Sequence, residues 1–122
     1  MVGMTVDLFA GVAVREIGAA SGWYARFFGG EPAFRPNEVE AVWEVGEHQY
    51  VYIEESVERA GHALVTLFVA DLDAVVEGIS ACGIEPVKRE TYDNGVRKVT
   101  YNDPDGNELG YGGGPVDDAG NA

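Results

Sequence analysis

Two short runs hold most of the side chains that could do chemistry. Tyr50, Tyr52 and Glu54 alternate along "QYVYIEE", and His62, Leu64, Thr66 and Phe68 alternate along "GHALVTLFVA". Both runs read as β-strands, in which residues two apart share a face. A phenol, a carboxylate and an imidazole held that way could pass a proton between them. By the same parity Asp7 shares a face with Phe9 in "TVDLFAGVAV", and Glu108 with Gly110 near the end. Glu54, His62 and Glu108 would suit a divalent cation if three strands brought them together. The other histidine, His48, falls in a predicted hairpin turn, where plain solvation explains it. Cys82 is the only cysteine, so no internal disulfide can form. Its place in a predicted helix reads as a small buried apolar residue and not as a nucleophile.

The elements that must position these groups follow from periodicity. "MTVDLFAGVAV" (residues 4–14) is apolar and partly β-branched, hence a strand. In "REIGAASGWYARFFGG", Ile17, Ala20, Tyr24, Phe27 and Phe28 recur at helical spacing, and Gly29-Gly30 supplies the stop. "EVEAVWEV" and "QYVYIEE" read as a hairpin about Gly46-Glu47-His48. "ALVTLFVA" is a strand, and "DLDAVVEGISACG" a helix capped by Asp71 with Leu72, Val75, Val76 and Ile79 on its buried stripe. A second hairpin surrounds Asn94-Gly95, and a last strand, "NELGY", follows the turn Asp103-Pro104-Asp105-Gly106.

The two halves resemble each other. Each runs strand, acidic residue, amphipathic helix, glycine, Glu-Pro and then hairpin strands, with Val14 and Glu16 matching Val69 and Asp71. That pattern is βαβββ twice, a duplicated module and not a solenoid. Residues 1–114 are expected to form one α+β domain of two modules, about 4–55 and 60–112. Residues 115–122 read as a flexible tail.

Composition excludes several classes. At 122 residues the chain suits one domain. A net charge of −13 repels phosphate backbones and anionic membranes, so neither nucleic acid nor membrane is an expected partner. With no leader-like N-terminus and a lone cysteine, the expected location is the cytoplasm.

The paired modules, with Asp103-Pro104-Asp105-Gly106-Asn107 following the "VTY" strand, resemble the vicinal oxygen chelate superfamily over about residues 4–112. That superfamily comprises glyoxalase I, extradiol dioxygenases, epimerases, fosfomycin-resistance enzymes and bleomycin-binding resistance proteins. The resemblance implies two βαβββ modules pairing into a curved mixed β-sheet cleft with helices on the convex side. It marks the DPDGN turn as a fold signature without chemistry. It also implies a divalent metal on the concave face of the enzymes, held by a His or Gln on the first strand, an acid or His on the fourth, a His on the fifth and a Glu on the eighth. Counting from the motifs puts Phe9, Tyr52 (or Glu54, two residues on), Leu64 and Gly110 at those places. Phenylalanine, leucine and glycine side chains cannot coordinate, so no metal or other cofactor is expected.

If Phe9 and Leu64 face the cleft, so do Asp7, His62, Thr66 and Phe68, joined by Tyr50, Tyr52, Glu54, Glu108, Gly110 and, from the neighbouring strand, Trp43. Such a lining suits a small aromatic ligand, with a cationic one favoured by the carboxylates. The expected function is metal-free binding of such a molecule in a homodimer, as in the bleomycin-binding relatives. The alternative is a glyoxalase-like lyase, isomerase or dioxygenase with a displaced metal, or metal-free acid–base chemistry run by His62, Tyr52 or Glu54.

Overall fold

The structure is a computed structural model that describes residues 4–116. The end of the chain read as a tail therefore lies, beyond Val116, outside the described residues. Module one runs β1 (Leu8–Val14), α1 (Ile17–Phe28), β2 (Phe34–Asn37), β3 (Glu40–Gly46) and β4 (Gln49–Glu55). Module two runs β5 (Leu64–Phe68), α2 (Leu72–Ala81), β6 (Lys88–Thr91), β7 (Arg97–Asn102) and β8 (Glu108–Gly113). Each forms its own four-stranded sheet, ordered β1-β4-β3-β2 (sheet 1) and β5-β8-β7-β6 (sheet 2). The helix crosses over each sheet so that its first and last strands pair in parallel, and the remaining pairs are antiparallel.

The helices begin where a carboxylate can satisfy an orphan N–H. Glu16 accepts from the Ala19 amide, and its counterpart Asp71 accepts from the Ala74 amide. Gly29 closes α1 in the left-handed region. Trp23 is buried on α1 beside Ala20, Tyr24 and Phe27. Cys82, in contrast, is exposed: it caps α2 and does not fill the core.

One core serves both modules. Phe27 of α1 lies 4.8 Å from Trp23, and also 5.2 Å and 5.5 Å from Tyr101 and Tyr111 on sheet 2. Tyr24 packs against Trp43 of sheet 1, at 5.9 Å. Helix α1 is thus flanked by the inner faces of both sheets. The modules join through these inner faces, and within one chain the two sheets share no ladder. A gap of about 730 Å³ with a mixed lining remains between them, bordered by Ala10, Val51, Val65 and Leu67 and also by Glu44, Tyr50, Leu64 and Phe68.

The turn at Asp103–Asn107 completes the join. Asp103 accepts from the Tyr24 hydroxyl at 2.8 Å, and from the Asp105 and Asn107 amides at 2.9 Å each. Asn107 donates to the Ala13 carbonyl, accepts from the Ala63 amide, and Asp105 accepts from the Arg15 amide. Beside the turn Gly61 sits at φ 93°, and a Cβ there would lie 2.7 Å from the Asp105 carbonyl oxygen. The motif therefore does more than return the last strand: it fastens β1, α1 and the β4–β5 loop to the second sheet. Among the described residues no helix is long and apolar enough to cross a membrane.

Candidate functional site

The outer faces carry the residues singled out in the sequence. Strand alternation sends Val12, Val14, Val51 and Ile53 into the core, each at most 1% exposed. Phe9, Tyr50, Tyr52 and Glu54 consequently lie on the outer face of sheet 1. On sheet 2, Tyr101, Leu109 and Tyr111 are buried, and Leu64, Thr66, Phe68, Glu108 and Gly110 share the other face. Leu64 and Phe68 are 78% and 68% exposed there, an unusual position for large apolar groups. Each sheet turns its inner face to the shared core and leaves its outer face open, and Tyr50 of sheet 1 borders the same 730 Å³ gap as Leu64, Thr66 and Phe68 of sheet 2. A single chain thus presents two half-clefts.

Sheet 1 offers an aromatic platform. The Phe9 and Tyr50 rings stack at 4.5 Å with 12° between their planes. Tyr52 lays its ring over Gly11, where a Cβ would meet the phenol at 2.6 Å and push the ring aside. Burial, and then the Glu44 and Asp7 carboxylates, hold the Tyr50 phenol above its usual range. Glu40 and Glu54 stand opposite each other in the β3–β4 ladder, a like-charge pair that a cation would relieve.

Trp43 is corrected. It pairs with Val51 and is 3% exposed, so it belongs to the helix-covered core, with its indole N–H donating to the Gly30 carbonyl. Asp7 is engaged at the strand end, where its carboxylate meets Nδ1 of His48. His48 is accordingly not merely solvated: at φ 62° it lies between Asp7 and Glu47.

His62 joins Tyr52 and Glu54 around a depression of about 280 Å³ that Ser56 and Arg59 also line. Glu108 borders a separate depression of about 20 Å³ with Leu64, Thr66, Lys98, Thr100 and Gly110. Glu54, His62 and Glu108 are therefore not one ligand set. Among the described residues no three His, Cys, Asp or Glu side chains cluster as a metal would require.

The duplication also settles the register of the fourth-strand position. Phe9 pairs with Tyr50 and Gly11 with Tyr52, while Leu64 pairs with Glu108 and Thr66 with Gly110. Since Phe9 and Leu64 are equivalent, Tyr52 corresponds to Gly110, and Glu54 lies two pairs beyond. By that equivalence the four places that the resemblance implies fall at Phe9, Tyr52, Leu64 and Gly110. Over Gly110 lies the stem of Lys98, whose Cε is 3.0 Å from where a Cβ would be. Two apolar groups, a phenol and a glycine under a lysine do not fit a divalent metal.

Two βαβββ modules packed on one core, each with an open outer sheet face, define the class of scaffold. Residues 5–111 match the sequence profile of the Glyoxalase/Bleomycin resistance protein/Dioxygenase superfamily, and the chain belongs to that superfamily. A glyoxalase/bleomycin resistance protein from Catenulispora acidiphila DSM 44928 is 56% identical over 91% of this chain and 100% of its own, with a TM-score of 0.87. A bleomycin-binding protein complexed with bleomycin (16% identity, 89% and 98% covered, TM-score 0.73) shares the fold. So does the lactoylglutathione lyase of Agrobacterium tumefaciens (19%, 92% and 96%, TM-score 0.69). No protein of curated function matches the chain.

Proposed function

We propose that the protein binds a small planar molecule, without metal, in clefts formed between two copies of the chain. The observation that carries this reading is the exchange of every metal-holding position for Phe9, Tyr52, Leu64 or Gly110, next to a stacked Phe9–Tyr50 platform. Aromatic faces attract flat rings and cations, and Glu40, Glu44 and Glu54 on the same face favour an amine on the ligand. The homodimer is supported by the half-clefts themselves: the outer edges of β1 and β5 carry no ladder partner among the described residues, with Leu64 and Phe68 open to water. Sheet 1 of one copy against sheet 2 of the other would cover them and enclose two equivalent sites. Sequestration of a bleomycin-type antibiotic in the cytoplasm is the sharpest form of the proposal, and the fold shared with a bleomycin-bound protein supports it.

The test is a calorimetric titration with bleomycin in excess chelator, on protein whose mass has been fixed by light scattering. Saturable binding of one ligand per chain to a dimer is the expected result, weakened about tenfold by Phe9→Ala. A monomer, or the absence of saturable heat, would count against it. A second reading, metal-free acid–base chemistry, is favoured by the meeting of Tyr52, Glu54 and His62 around one depression. Turnover that His62→Ala abolishes would distinguish it from sequestration.

A further inference from the structure

The chain has two lysines, Lys88 and Lys98, and both lie on the outer face of sheet 2. Glu90 stands directly opposite Lys98 in the ladder, yet its carboxylate is 3.5 Å from the Lys88 ammonium. Lys98 leans the other way, over Gly110. There its Cε and the Thr66 hydroxyl lie 3.0 Å and 3.3 Å from the point a residue-110 Cβ would occupy. Thr100, 5% exposed, borders the same depression. Among the described residues no carboxylate lies within ion-pair distance of Lys98, which is half-buried. In a chain with 21 acidic and 8 basic residues that isolation is conspicuous. A partly desolvated ammonium without a counterion is unfavourable, and an arriving anion would relieve it.

We infer that Lys98, with the Thr66 and Thr100 hydroxyls, forms a subsite for an anionic group (carboxylate, sulfonate or phosphate) of the ring-bearing ligand. The inference rests on the cleft reading and deepens it: the ligand presents its ring to Phe9 and Tyr50 of one copy and its acidic group to Lys98 of the other. Glycine at 110 makes the subsite possible, because a glutamate there would fill the space of the Lys98 stem and neutralise its charge. Glu108 borders the same depression two residues along β8 from Gly110, and the Phe68 ring covers Gly112 on the other side. The overall charge of −13 opposes anions only at long range, since salt screens it beyond about 8 Å.

Two fluorescent probes with the same rings test this: anilinonaphthalene sulfonate and its uncharged analogue phenylnaphthylamine. The native protein is expected to bind the sulfonate about tenfold more tightly than the neutral probe. Lys98→Met erases that preference and leaves the neutral probe unchanged, Lys98→Arg restores most of it, and Lys88→Met does not alter it. Lys98→Gln supplies a second neutral variant should Lys98→Met fail to fold. Equal affinities in the native protein, or a preference that survives in natively folded Lys98→Met or Lys98→Gln, would overturn the subsite and leave the cleft standing. Binding of neither probe would overturn the cleft and the subsite together.

Discussion

Asn107→Ala is expected to destabilise the protein by about 3–4 kcal/mol, read as a lower urea midpoint at an unchanged slope. Asn107 is fully buried, and its side chain makes three hydrogen bonds to three segments. Its amide nitrogen donates to the Ala13 carbonyl and to Asp103, both at 2.8 Å, and its oxygen accepts from the Ala63 amide at 2.9 Å. Truncation leaves the carbonyl and the amide without partners in places that water reaches poorly, at about 1–3 kcal/mol for each buried group. Asn107→Asp should be no better, because a second carboxylate would then face Asp103. A loss under about 0.5 kcal/mol, the range of an ordinary surface change, would show that the turn does not fasten the modules.

The same network sets a pH dependence. The Tyr24 phenol is held well above its usual range, first by burial and then by the Asp103 carboxylate it donates to. Burial also pushes Tyr111 up to about 12. Unfolded tyrosine ionises near pH 10, where the folded chain still holds both protons, so the unfolded state binds fewer. Stability is therefore full below about pH 10 and falls as the pH rises further, with Tyr111 contributing between pH 10 and 12. Tyr24→Phe should make that fall shallower.

Phe27→Ala is expected to cost about 3–5 kcal/mol, a large share of the total stability of a domain this size. Phe27 is 3% exposed and is the α1 side chain that contacts aromatic rings of sheet 2, Tyr101 and Tyr111. Its loss opens a cavity where the modules meet, with rings on all sides that cannot all collapse into it. Phe27→Leu, which refills much of the space, should cost about a third as much. A deficit below about 1 kcal/mol for the alanine variant would mean that the modules are joined elsewhere.

Much of this fold is legible in the sequence, for local reasons. The two acid-capped helices, the hairpin strands and the duplication are written in periodicities and turn residues that act within one module. β2 is not: "FRPN" is four residues long, contains proline and is exposed throughout, so neither pattern nor propensity marks it. The face of Trp43 is ambiguous because Ala41, Val42 and Trp43 are all buried, which erases the alternation that parity needs. The reach of the DPDGN turn into module one could not be read either, since its partners lie as far as 94 residues away. Nor could the position of the helices between the sheets, which leaves each outer face open instead of closing one cleft within a chain. The replacement of the metal positions is visible by counting, but the choice of Tyr52 over Glu54 needed the strand register. Lys98 lies outside every motif, and only the seat of its stem over Gly110 draws attention to it.

Elemental analysis of protein purified without chelator is the decisive test of the proposal that the site works without a metal. Divalent transition metal far below one ion per chain is expected, with no saturable uptake when zinc, nickel or manganese is titrated in. One tightly held ion per chain would contradict it, and would mean that the outer faces of two copies assemble a ligand set that neither shows alone.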